Sequence, residues 1–179
     1  MKLSSTLLTT LAMQASFQAH SADLASALTP DMSAAEQHLI LGTFAYIKQS
    51  GSNSTALIEQ SGGNFANIDQ NGSNNLAFIK QSGDLNFTNF LQNGNDNFAN
   101  AEQNGFSNSI NLTQNQNGNQ FNAVQQGNNN IFNAIQNGNS LVNMTAQGNG
   151  NTINANMPNG TNYQVNVVGD NVRASSVGQ

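Results

Sequence analysis

The 179-residue chain contains no cysteine, two prolines and two histidines, and only 7% of its residues are charged. Each shortage removes a class of protein. Without cysteine there is neither a disulfide framework nor a thiolate metal site, so stability outside a cell would have to come from backbone pairing and packing. Four Lys plus Arg residues are too few for a nucleic-acid footprint, and no nucleic-acid partner is expected. The imidazoles, His20 and His38, both precede the Asn-rich region, which leaves almost nothing from which to build a Ser/His/Asp triad or a histidine metal cluster. No catalytic residue, metal or cofactor is therefore expected, and the chain reads as a non-enzyme. A net charge of only -5 with two prolines also departs from the usual disordered composition, which combines high net charge with abundant proline.

What the chain has instead is carboxamide: 34 Asn and 18 Gln, with every Asn at or after Asn53. The first fifty residues are a different kind of sequence. Lys2 followed by the short apolar run Leu3 to Met13, with Ala19-His20-Ser21 as a small-x-small cleavage site, predicts a secretory signal over residues 1–21. The run is too short to span a bilayer. Residues 22–42 carry no Asn and include Ser33-Ala34-Ala35-Glu36, a capping-box pattern ahead of Leu39-Ile40-Leu41 and Gly42. Two accounts of this leader stay open: a recognition segment for export, or a disordered stretch with a transient helical turn.

An internal period dominates the remainder. Gly51, Gly62, Gly72, Gly83, Gly94 and Gly105 recur every ten or eleven residues, each preceded two places earlier by Gln49, Gln60, Gln70, Gln81, Gln92 and Gln103. Carried onward through Gly127 and Gly138, the register defines twelve units over residues 43–171, with the consensus N-x-A-x-I-x-Q-x-G-x-x. Positions one, three, five and seven alternate with the rest, which is the signature of a strand with one buried face. Gly at position nine, often in an Asn-Gly pair such as Asn71-Gly72, turns the chain at little conformational cost.

One strand cannot bury its own face, so two successive units are expected to form a strand-turn-strand arch, a rung of about 22 residues. Stacking some six rungs gives an all-β, cross-β solenoid on the order of 29 Å tall whose hydrogen bonds run along the stacking axis. Residues 172–179 are left as a C-terminal tail. Three features support this register. At position six, Lys48 faces Asp69 in one column, and Glu59, Lys80 and Glu102 alternate in sign in the other. Inward positions trade volume: Ala45, Ala56, Ala66 and Ala77 accompany Ile47, Ile58, Ile68 and Ile79, whereas Phe121 and Phe132 accompany Ala123 and Ala134. Finally, an in-register stack lets each buried carboxamide bond the identical one above and below. Gln49, Gln70, Gln92, Gln114 and Gln136 would form one ladder and Gln60, Gln81, Gln103 and Gln125 the other, with Asn64, Asn75, Asn86 and Asn97 at position one.

The pattern weakens after Gly148. Position seven becomes Ala146, Met157 and Val167, and Pro158 threatens a ladder donor, so a poorer end of the stack is expected. In the seventh unit Gln116 replaces the glycine, with Gly118 expected to take over the turn.

Stretches such as Asn64-Phe65-Ala66-Asn67-Ile68-Asp69-Gln70-Asn71-Gly72 and Asn75-Leu76-Ala77-Phe78-Ile79-Lys80-Gln81-Ser82-Gly83 resemble the curlin repeat of curli, the bacterial extracellular functional amyloid. The resemblance covers residues 43 to about 150. It implies a secreted structural subunit that assembles into extracellular, cell-surface fibres supporting adhesion and a biofilm matrix. The partners it implies are further copies of the chain, a cognate curlin subunit, an outer-membrane export channel and periplasmic accessory proteins. Residues 103–169 carry no charged side chain, so the usual protection of strand edges is missing there. Whether the chain is the bulk subunit or a minor surface nucleator stays open. A monomeric β-solenoid that binds a surface is the reading from another class, but the outward column Thr55, Leu76, Phe98 is no flat threonine face. Phe44, Phe65 and Phe87 should share an outer column, serving either lateral contacts or support of the rungs.

Overall fold

The structure, a computed structural model, describes residues 43–177. The signal expected over residues 1–21 and the leader over 22–42 lie outside the described residues, as do Gly178 and Gln179. Thirteen strands follow one another: β1 Phe44–Ser50, β2 Thr55–Ser61, β3 Phe65–Asn71, β4 Leu76–Asp84, β5 Phe87–Asn93, β6 Phe98–Phe106, β7 Ser109–Asn115, β8 Gln120–Asn128, β9 Ile131–Asn137, β10 Leu141–Gln147, β11 Thr152–Met157, β12 Asn162–Val168 and β13 Arg173–Val177. The odd-numbered strands form one sheet and the even-numbered strands the other. Every pairing is parallel and joins a strand to the one two later, so that Gln49 pairs with Gln70 and Gln70 with Gln92. This is the expected cross-β solenoid. Its rung of about 22 residues is one strand of each sheet, and the two inner faces meet.

The inner faces show why alternation specifies the fold. Ala66, Ile68, Ala77 and Ile79 are buried in the second rung, and Phe121, Ala123, Phe132 and Ala134 in the fourth and fifth. Large and small exchange positions inside one close-packed strip, so volume is conserved while the backbone register stays fixed. Phe90 and Phe121, from opposite sheets, meet edge to face at a centroid distance of 6.0 Å and an interplanar angle of 83°.

The C-terminal units depart from expectation in two ways. Pro158 follows β11 rather than interrupting it, so it removes no strand donor, and its carbonyl accepts bonds from the Ser140 and Thr161 hydroxyls at 2.7 Å each. Within residues 172–179, expected as a tail, Arg173 to Val177 form β13 on β11. That unit carries Gly178 at position seven, where the consensus has Gln, which hid it. Period-two alternation with Ala174 and Ser176 inward suffices, helped by the bond from the Val172 N–H to the Asn151 side chain at 2.9 Å.

The turns also differ in detail. Where Asn precedes the glycine at Asn71, Asn93 and Asn137 it is the last residue of its strand, and the left-handed residues are the glycine at position nine and the residue at position eleven, such as Asn53, Asn74 and Asn129. The chain must cross to the opposing sheet rather than fold back beside itself, which explains the two separated bends. At Gly105, with φ 135°, a Cβ would overlap the carbonyl oxygen of Gly127 one rung on, so close stacking as well as φ demands glycine. In the seventh unit Gln116 itself adopts φ 66° and Gly118 φ 70°. Gly118 therefore fills position eleven instead of replacing the missing glycine.

Leu85 occupies position eleven at φ 58° while 63% exposed, a conformation costing a side chain without local hydrogen bonding on the order of 1 kcal/mol. Leu85→Asn is expected to raise the denaturant stability of the soluble chain by about 0.5–1 kcal/mol. Gly105→Ala should lower it by more than about 1 kcal/mol, measured in the same unfolding experiment.

Candidate functional site: amide ladders and stack ends

Position seven places one glutamine per strand on the inner face, where Gln70, Gln81, Gln92, Gln103, Gln114, Gln125 and Gln136 are buried. In the first column Nε2 donates to the next Oε1 from Gln49 to Gln70 and Gln70 to Gln92 at 2.7 Å, then Gln92 to Gln114 at 2.8 Å and Gln114 to Gln136 at 2.9 Å. In the second, Gln60 donates to Gln81 and Gln81 to Gln103 at 2.7 Å, and Gln103 to Gln125 at 2.9 Å. All seven bonds point toward the C-terminal end of the stack.

The second Nε2 hydrogen has a use that the sequence pattern does not display. It reaches across to the first carbonyl of the preceding strand: Gln81 to Phe65 at 3.0 Å, Gln92 to Leu76 at 3.0 Å and Gln114 to Phe98 at 2.8 Å. Gln81, Gln92 and Gln114 thus each close an arch while joining one rung to the next. Thr88, wholly buried among apolar residues, is a further member missed by pattern reading. Its hydroxyl accepts from Gln81 at 3.2 Å and donates to Gln103 at 2.7 Å, tying one sheet to the ladder of the other.

The position-one asparagines run the opposite way. Asn86 donates to Asn64 at 2.9 Å, Asn108 to Asn86 at 3.0 Å and, in the other column, Asn97 to Asn75 at 3.2 Å and Asn119 to Asn97 at 3.0 Å. The same Oδ1 also receives the backbone N–H of the later residue, as from Asn86 to Asn64 at 3.0 Å. The other Nδ2 hydrogen holds a turn carbonyl of the next rung: Asn64 to Gly83 at 2.7 Å and Asn75 to Gly94 at 2.8 Å. Asparagines at this position thus fasten the turns at Gly83, Gly94, Gly105 and Gly127, whereas the hydroxyls of Thr43, Ser54 and Ser140 hold the carbonyls of Gly62, Gly72 and Gly138; all of these glycines, and Gly51, adopt positive φ.

On the outer face Lys48 and Asp69 form an ion pair at 3.3 Å. Glu59, Lys80 and Glu102 are in register, yet no ion pair closes among them. Exposed pairs of this kind contribute about 0–1 kcal/mol, so they bias register without holding the stack. Phe44, Phe65 and Phe87 stack face to face, with centroids 4.7 and 4.9 Å apart. A third asparagine column at position four went unnoticed in the sequence: Asn67 donates to Asn89 at 2.6 Å and Asn133 to Asn154 at 2.8 Å.

The two ends of the stack are unlike. Ala45, Ile47 and Gln49 in β1 and Ala56, Ile58 and Gln60 in β2 are only half-buried, since no rung precedes them among the described residues. No donor among those residues reaches the Oε1 of Gln49 or Gln60. At the far end Gln125 stands beside Ala146 and Gln136 beside Met157, so both ladders stop before the last rungs. Burial pushes the phenol of Tyr163, an inward residue of β12, up. Gln103→Leu should therefore cost about 2–5 kcal/mol, because it strands Gln81, Thr88 and the Phe87 carbonyl together. Lys48→Ala should cost at most about 1 kcal/mol. Denaturant unfolding of the soluble chain checks both.

No curated protein and no solved structure matches the chain. Residues 63–89, which run from the turn before β3 through β4 to the middle of β5, match the family model described as the curlin associated repeat. That match, confined to about one rung of the stack, supports membership of the curlin family.

Proposed function

We propose that the chain is a secreted subunit that polymerises end to end into a curli-type amyloid fibre at the cell surface, supporting adhesion and a biofilm matrix. The curlin repeat suggests a subunit of that kind, and the curlin family is structural rather than enzymatic. The observation that carries the reading is the first rung, which no other described strand covers. β1 and β2 hold the full motif, with Ala45, Ile47 and Gln49 beside Ala56, Ile58 and Gln60, yet remain half-buried. An open strand edge with apolar inward residues is a template for another chain. The far end supports the same reading, since β12 carries no charged residue and so lacks the usual protection against edge pairing. Further copies of the chain and a cognate curlin subunit are the partners for these edges. The outer-membrane export channel and periplasmic accessory proteins belong to the route by which residues 22–42 would be recognised.

The mature chain, starting at Ala22, is expected to leave the monomeric state in sedimentation and to yield fibres with a reflection near about 4.8 Å. Ile47→Lys, which puts a charge on the first inward strip, should suppress growth at that end while leaving the remaining rungs folded by circular dichroism. A mature chain that stays monomeric and gives no such reflection overturns the proposal.

A further inference from the structure

The two sheets are unequal: the odd sheet has seven strands and the even sheet six among the described residues. β13 covers β11, and β12 is the last strand of its own sheet. We propose that a second copy docks its β1 on the open edge of β12 and its β2 on β13, so that successive subunits are related by half a rung and exchange sheets. This rests on the end-to-end reading above and specifies the joint.

The backbone parity fits. In a parallel ladder, alternate residues direct both their N–H and C=O to one neighbour and the residues between them to the other. Leu141 donates to the Thr161 carbonyl at 3.1 Å and Gly169 to Gln147 at 2.9 Å. In the other sheet Phe44 donates to Asn64 at 2.7 Å and Gly72 to Ser50 at 2.8 Å. Even positions of each unit therefore face the later rung and odd positions the earlier one, in both sheets alike. Asn162, Gln164, Asn166 and Val168 thus direct their backbone groups away from β10, to an edge that no described strand fills. Ala45, Ile47 and Gln49 of β1 present the complementary set. Because both sheets follow one parity, β1 can continue either of them.

Level counting then decides between the two. If β1 of a second copy sat on β13, its β2 would lie one strand level too far from β12, and the backbone groups of both strands would stay unpaired inside the fibre. Shifting by half a rung fills that level: β1 extends the even sheet, β2 extends the odd sheet, and every edge strand is paired. The side chains accept this arrangement. Tyr163 and Val165 would face Ala45 and Ile47, repeating the exchange of large for small within the core. At position six Lys48 would meet Asn166, and at position two Thr55 would meet Arg173, so no like charges oppose one another there. Gln49 would lie over Val167, so the amide ladder is interrupted and backbone pairing carries the joint. Successive copies then show their Phe44, Phe65 and Phe87 stacks on opposite faces of the fibre, with a repeat of two subunits, thirteen levels or about 62 Å.

The absence of cysteine makes single-site spin labelling clean. Fibres are grown from mixtures of full-length mature chains carrying a nitroxide at Phe44→Cys with chains labelled at Asn162→Cys, or at Phe44→Cys with chains labelled at Arg173→Cys. A third mixture pairs Thr55→Cys with Arg173→Cys and does not depend on the Phe44 substitution. Spin exchange at strand-to-strand distance is expected for the 44/162 and 55/173 mixtures and not for 44/173, with singly labelled fibres as controls. Coupling in 44/173 without 44/162 and 55/173 overturns the half-rung joint while leaving polymerisation intact, as does an absence of coupling in all three mixtures. Failure of the unlabelled chain to form fibres overturns the polymerisation reading itself.

Discussion

A single axial spacing of about 4.8 Å sets the distance between neighbouring strands and also the distance between stacked carboxamides. When identical residues recur once per rung, backbone and side-chain amides can be satisfied by the same translation. The nearly constant donor-acceptor distances of the glutamine columns, 2.7 to 2.9 Å from Gln49 to Gln136, express that coincidence. Other features follow from it. A slip of one residue would turn every ladder amide outward, a side chain at Gly105 would push two turns apart, and like charges repeated along a column would repel at every level. Low charge is therefore a condition of the architecture.

Gln and Asn are not interchangeable within this scheme. A glutamine at position seven lies opposite the start of the preceding strand and has the reach to bond that carbonyl as well as the next rung, as Gln92 does with Leu76 and Gln114. An asparagine at position one is shorter and lies next to the bend, where its Oδ1 can accept a backbone N–H and its Nδ2 can hold a turn carbonyl, as Asn75 does. Exchanging them would leave the arch open in one case and crowd the turn in the other. The opposed directions of the ladders have a further effect. Glutamine-to-glutamine bonds point toward the C-terminal end of the stack and the position-one asparagine bonds toward the other, so the carboxamide dipoles of these two kinds of ladder oppose along the axis.

Much of this was legible in the sequence because it repeats. Glycine marked the period, alternation marked the buried face, and Gln at one position in successive units predicted columns that meet in space. Features without a periodic signal were hidden. Thr88 breaks the inward consensus, and only its placement between Gln81 and Gln103 explains a buried hydroxyl there. β13 has neither the glutamine nor the glycine by which units were found, and Pro158 looked disruptive until the strand end was located one residue before it. The bonds that close each arch join residues 15 or 16 apart, a spacing that arises only from how the two sheets face each other. The position-four asparagines were visible as letters, but an outward residue needs no hydrogen bond, so nothing in the pattern required them to form a column.

The uncharged stretch from residue 103 to 169 takes on a different meaning once it is placed. It runs from within β6 to just beyond β12, so most of it is held between neighbouring rungs, where charge would oppose stacking and its absence is a requirement of the fold. Only at β12 does the same composition reach an open edge. At the opposite end β1 and β2 keep Lys48 and Glu59, but on outward positions where they leave the edge groups of Ala45, Ile47 and Ala56 unobstructed. Neither end carries an inward charge or a covering segment among the described residues. The interaction that builds the monomer does not saturate within it, because a ladder satisfies its interior members and leaves its last members wanting. On the proposed function, fibre growth would repeat between chains the same addition of parallel strands that folding carries out along one chain.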